Sequence, residues 1–438
     1  MGVDEQRTIS RRGFLSSAAA GSAAIYLSAC GGSSKTSSST SGGSSGGGGK
    51  VTLNNLFQQQ AGYSASDLQG MTKAFERQNP NIKVNNTLVA YEALHDKIVA
   101  AAPAGTYDVV LGDCIWPAEF GSKGIVQDLT SKVQQLPVNQ IFPGAIQMAL
   151  YQGKYYGMPW ILDTKYLYSN KAMLAKAGKT TADLKTLTGM VSTLEALKSH
   201  GVLKYPFMGS WKQAEAVVCD YATLVGAFGG KFLDAAGKPA FNTGGGVQAL
   251  EFMKMLLDKG LANPSSTTAA EEDVLKAFAA QQVAVNWNWT FQLAGASDPT
   301  KSKVAKADVT IQHTPKGSAP VAPGVNGGQP VMITAGSQHP EEAWEYIKFI
   351  TSQPTQNGYV ADSLPIWSSS YSEASVVKTA GPQLVSVAKT QLPDMILRPQ
   401  VTNYNAASQE LQVQIQRALL GKTSPQSALN TAAGAFNA

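Results

Sequence analysis

Beyond residue 50 the chain alternates between two spacings of apolar side chains. Val51-Thr52-Leu53 and Ile82-Lys83-Val84 put apolar residues at every second position, the period of a half-buried strand. Between them Leu68, Met71, Ala74 and Phe75 recur at three- and four-residue intervals, which predicts a helix starting near Ser66 or Asp67. That helix stops at Asn79-Pro80, because the residue before a proline is pushed out of the α region. Tyr91 to Ala102 returns to helical spacing, and Tyr107-Asp108-Val109-Val110-Leu111-Gly112-Asp113 reads as a buried strand ending in an acid. Strand-helix-strand-helix-strand is the order of a mostly parallel sheet with helices on both faces. Ligands of such sheets gather at the carboxyl ends of strands, where Asp113 falls.

From about 163 to 307 the helical spacing dominates, over Leu184 to His200, Ala214 to Phe228 and Gly246 to Lys259. Gly201, Gly229-Gly230 and Gly260 follow these runs as C-cap glycines. Pro340 to Thr351 carries the marks of a helix, with proline in its first turn and Glu341-Glu342 at its positive end. A last helix near Asn405 to Leu420 packs Leu411, Ile415 and Leu419. The fold class expected is α/β.

The first 49 residues follow another logic. Ser10-Arg11-Arg12-Gly13-Phe14-Leu15 is a twin-arginine export signature, and the apolar run after it closes at Leu27-Ser28-Ala29-Cys30. That tetrapeptide resembles a lipobox, which makes residues 1–29 a signal peptide and Cys30 the lipidated residue. The run from Phe14 is too short to cross about 30 Å of hydrocarbon. Residues 31–49 are Gly, Ser and Thr except for Lys35, too poor in apolar surface to offset their ordering entropy. As a flexible tether they would hold the folded body about 25 Å from the outer face of the cytoplasmic membrane. About 390 residues remain, a length suited to two lobes.

Composition narrows the function classes. The net charge of +5 contains no Lys/Arg run, so a nucleic-acid footprint is not supported. Beside Cys30 there are only Cys114 and Cys219, expected as core thiols although one disulfide between them is possible. His95, His200, His313 and His339 lack metal-ligand spacing, and no cofactor is expected. Gly421-Lys422-Thr423 ends a helix instead of opening one, unlike a phosphate loop. Asp113 and Asp163 are the pair a glycoside hydrolase would need, but nothing local marks either as a proton donor.

What recurs instead is aromatic rings beside polar groups at element ends. The segments are Asp113-Cys114-Ile115-Trp116, Tyr155 to Asp163 around Trp160, Asn286-Trp287-Asn288-Trp289, and Leu364-Pro365-Ile366-Trp367. A pyranose offers a C–H face to an aromatic ring and a fringe of hydroxyls to carboxylates, amides and guanidinium groups.

In this order these segments resemble the extracellular solute-binding proteins of ABC sugar importers, in particular the trehalose/maltose-binding branch. The resemblance runs from about 51 to 434. It is carried by Phe75-Glu76-x-Gln78-Asn79-Pro80-Asn81-Ile82-Lys83-Val84, Asp108 to Asp113 with Trp116-Pro117-Ala118-Glu119-Phe120, and Tyr156-Gly157-Met158-Pro159-Trp160-x-x-Asp163-Thr164. Asn288-Trp289, Gly327-Gly328, Ala343-Trp344-x-Tyr346-Ile347 and Arg398-Pro399-x-x-x-x-Tyr404 continue it.

The resemblance implies two hinged α/β lobes with a sugar between them and no catalysis. The implied lobes are 50–162 plus 308–352, and 163–307 plus 353–438. Implied ligand-binding positions are Asp113, Asp163, Trp289, Gly328 and Arg398, with Trp160 as a second platform and Gln59 in the loop after the first strand. Gln329 stands where the family commonly has tryptophan, which makes a smaller or differently oriented sugar as fitting as trehalose or maltose. The implied partners are a carbohydrate, permease subunits of an ABC transporter and, through the lipid, the membrane. The chain is expected to act as a monomer. A polyol, a glycerophospho-compound or an oligopeptide remains as an alternative ligand, and a surface-anchored glycoside hydrolase as a rival class.

Overall fold

The computed structural model describes residues 50–59, 62–321, 323–361 and 363–437. The signal, lipidation and tether expectations lie outside these residues. Two main sheets organise the rest. The first runs in the order Ile82–Val89, Val51–Gln58, Val109–Leu111, Gln329–Ile333, Met158–Ile161. Val51–Gln58 is parallel to both of its neighbours, whereas Gln329–Ile333 is antiparallel to both of its own. The sheet is therefore mixed rather than mostly parallel, because its fourth strand returns from the far side of the second lobe. That second sheet runs Val309–Gln312, Tyr166–Asn170, Val285–Asn288, Phe207–Met208.

Local signals account for the elements around these sheets. Ser64 caps the helix Ala65–Gln78 through the Asp67 N–H, and Asn79 ends it as the proline requires. Leu68, Met71 and Phe75 are its buried stripe, and Phe75 meets Tyr346 edge-on with ring centroids 5.1 Å apart. Tyr346 belongs to the helix Pro340–Thr351, whose predicted bounds match the observed ones. The helices Leu187–Ser199, Glu215–Ala227 and Gly244–Asp258 end before Gly201, Gly229 and Gly260, all at positive φ near +60° to +72°.

The lobes are drawn differently from the sequence expectation in two places. Val309–Gln312 pairs with Tyr166–Asn170, so 308–312 belongs to the second lobe and the return crossing lies between 312 and 329. Beyond 352 the chain stays with the first lobe. Gln356 donates to the Trp160 carbonyl, Leu364 bridges Leu162, and Trp367 bridges Ile141. The second lobe is rejoined by Pro382–Gln391, where Gln383 donates to the Ile311 carbonyl and Gln391 to that of Lys165. Strand pairing moves both boundaries, and spacing along the chain does not reveal pairing partners.

Among the described residues no helix is long and apolar enough to cross a membrane. Cys114 and Cys219 are buried free thiols. Burial pushes the Cys219 thiol up to about 12, which leaves it unreactive as a nucleophile.

Candidate functional site

A cavity of ≈ 270 Å³ lies between the two sheets, near the lower end of the roughly 300–1,000 Å³ usual for small-molecule sites. The first lobe presents strand ends to it: Gln58 closes one strand, Asp113 follows another by two residues, and Gln329 opens the antiparallel one. The second lobe contributes Glu215 and Glu271, each the first residue of a helix, and Trp289 just past the strand Val285–Asn288. Strand ends and helix N-termini converge here because the sheets of both lobes aim their edges at the crossing segments.

Arg398 ties the two walls together. It is 2% exposed; its Nη2 donates to Asp113 Oδ1 at 2.9 Å and its Nη1 to Glu215 Oε1 at 2.6 Å. Tyr91 donates its hydroxyl to the other Asp113 oxygen at 2.8 Å. Tyr404 and Ser408 donate to Glu215 at 2.5 and 2.6 Å. One guanidinium thus serves two carboxylates from different lobes, and its Nε, also buried, has no hydrogen-bond partner.

A second charged group stands behind Trp289. Lys165 and Asp220 are fully buried with Nζ and Oδ1 2.5 Å apart, and Glu271 lies 3.7 Å from the same ammonium. Burial pulls the Lys165 pKa down, but Asp220 and Glu271 outweigh it and hold the ammonium charged. Trp289 donates its indole N–H to Glu271 at 3.2 Å, and Lys165 sits 5.1 Å from the ring centroid. A Cβ at Gly327 would overlap the Trp289 ring, so only glycine lets the two approach. The indole is half-buried.

Asp163 occupies the crossing itself. Its carboxylate accepts from the Thr290 hydroxyl at 2.5 Å and the Thr164 N–H at 2.8 Å. Burial nevertheless raises its pKa to about 6, against the lowering effect of those donors and of Lys165. A folded-state pKa above the unfolded one means the folded protein holds extra proton between about pH 4 and 6, so this group's contribution to stability falls as pH rises through that window. A solute that donates hydroxyls to Asp163 is held more strongly by the ionised form, which accepts charge-assisted hydrogen bonds. Its affinity is expected to fall up to about tenfold from pH 7 to pH 5, and Asp163→Asn should flatten the profile in calorimetric titrations.

The structure brings together Asp113, Asp163, Trp289, Gln329 and Arg398 around one cavity. It separates three other residues from it. Trp160 is 2% exposed in the first-lobe core, with ring centroids 5.4 Å from Phe57 and 5.0 Å from Tyr63, where it offers no platform to a solute. Gln59, just past the strand Val51–Gln58, is exposed, and its neighbour Gln58 lines the cavity. Gly328 is buried against Met148, and Gly327 takes the lining position. Gln58 and Gln329 exchange two amide hydrogen bonds, at 2.6 and 2.9 Å, on the first-lobe wall.

Glu92, Glu215, Glu271, Glu272 and Lys212 also line the cavity, and the sequence reading did not single them out. Each glutamate lies in the first turn of a helix, where an acid reads as a complement to the helix dipole.

Residues 61–357 match the family model described as bacterial extracellular solute-binding protein. A probable ABC transporter-binding protein of Deinococcus radiodurans is 28% identical over 345 residues, covering 76% of this chain and 80% of that protein. The maltose-bound MalE3 of T. maritima superposes with a TM-score of 0.79 at 25% identity, over 88% of this chain and 99% of that one. A solute-binding protein of Thermotoga lettingae bound with α-D-tagatose gives 0.78 at 24%, over 88% of each the present chain and 99% of its own. With more than half its length matched and a two-lobed fold shared with solved members, the chain belongs to the bacterial extracellular solute-binding protein family.

Proposed function

We propose that this chain captures a carbohydrate between its lobes and hands it unchanged to the permease of an ABC transporter. The observation that carries this reading is a half-buried indole, locked by Glu271 and Gly327, in a cavity whose two walls present carboxylates joined through Arg398. Trp289 is the stacking face for the sugar's C–H side, and Asp113 and Asp163 accept from its hydroxyls. Because the walls belong to different lobes, a solute that touches both favours the closed arrangement by its differential affinity. The ABC-transport relative and the maltose-bound neighbour support the same reading.

The chain works outside the cytoplasm, held to the membrane by acyl groups on Cys30, as a monomer and without turnover. Incubation with a panel of disaccharides should return every one intact, and released monosaccharide would mark it as a hydrolase. A thermal-shift screen of mono- and disaccharides should raise the midpoint for its ligand. With that ligand in hand, Trp289→Ala is expected to weaken binding at least about tenfold in calorimetry, while the unfolding midpoint moves little. Unchanged affinity would remove the indole from the site.

A further inference from the structure

We propose that the cleft selects a sugar carrying a protonated amine over the neutral sugar of the same shape, an inference that rests on the carbohydrate reading above. Six carboxylates line the cavity, those of Glu92, Asp113, Asp163, Glu215, Glu271 and Glu272. Among the described lining residues only Lys212 and Arg398 are cationic, so carboxylates outnumber cations six to two. Arg398 is already committed to Asp113 and Glu215, and Lys212 is exposed at the rim. Lys165, behind the indole, lies between Asp220 and Glu271, so counting it together with Asp220 leaves the surplus of carboxylates over cations as it is.

Like charges face each other across the cavity, Asp113 on one wall and Glu272 on the other, and repel. A neutral sugar fills acceptor sites with hydroxyl donors and leaves that repulsion standing. An ammonium offsets it, and a phosphorylated solute adds to it. The half-buried face of Trp289 is favourable to a cation as well as to a C–H face. A bare amine does not complete the site. The buried Arg398 Nε has no acceptor, and a ring or hydroxyl oxygen on the same molecule supplies one. Asp163, whose pKa burial raises to about 6, is expected to ionise more fully beside an ammonium.

Calorimetry of the mature protein against matched sets tests this. Each set holds a 2-amino-2-deoxy sugar, its parent sugar and its N-acetyl form, as mono- and disaccharides. The amine should bind at least about tenfold more tightly than both others, and the gap should shrink as salt rises to about 0.5 M. Glu272→Gln should lower the ratio of amine to neutral affinity. Neutral sugars binding as tightly as their amines would overturn this inference and leave the carbohydrate reading intact. If neither class binds, both fall.

Discussion

Arg398→Met is expected to unfold in urea with a stability lower by about 3–5 kcal/mol, and to lose sugar binding by well over tenfold. The change removes the cation that serves both Asp113 and Glu215, and their oxygens remain buried without a counter-charge. Tyr91, Tyr404 and Ser408 still donate to these carboxylates, which compensates only in part. Arg398→Lys discriminates between charge and shape. An ammonium restores charge but does not reach two carboxylates through separate nitrogens, so it should recover part of the stability and little of the binding. A urea midpoint and an affinity equal to those of the unmodified protein would show that the two walls hold without this residue.

Lys165→Met should cost a comparable amount for a related reason, again about 3–5 kcal/mol. Asp220 is fully buried and accepts from the Lys165 ammonium at 2.5 Å and from the Ser210 N–H at 3.1 Å. Without the ammonium it must take up a proton or remain an uncompensated charge. The double change Lys165→Met with Asp220→Leu removes both charges and should recover most of the loss, since a well-packed apolar pair replaces a buried ion pair at little cost. Affinity should not recover alongside it, because Glu271 loses the cation that balances it beneath the indole. A double variant as unstable as the single one would place the cost in packing rather than charge.

Much of this arrangement is visible in the chain before any coordinates. Periodicity finds the helix Pro340–Thr351 and the strand that leads to Asp113, because both signals are local. Asp113, Asp163 and Trp289 are recognisable as polar or aromatic residues at element ends, whereas Gln329 and Arg398 stand out only through the family resemblance. What the chain conceals is of another kind. Whether Gln58 or Gln59 faces inward depends on strand register, which a glutamine run does not reveal. Trp160 and Trp289 have similar surroundings in sequence, yet one is enclosed by Phe57 and Tyr63 and the other lies open beside Gly327. Glu215 and Glu271 look like helix-dipole partners until their helices prove to start at the cleft.

The antiparallel strand Gln329–Ile333 has a bearing on how the molecule is made. It lies between Val109–Leu111 and Met158–Ile161, which do not pair without it. During synthesis those two strands leave the ribosome long before their shared neighbour, and each carries an open edge in the interval. The half of the molecule that begins the chain is consequently the later one to be finished, and until then its raw edges are what a chaperone or a wrong partner would meet.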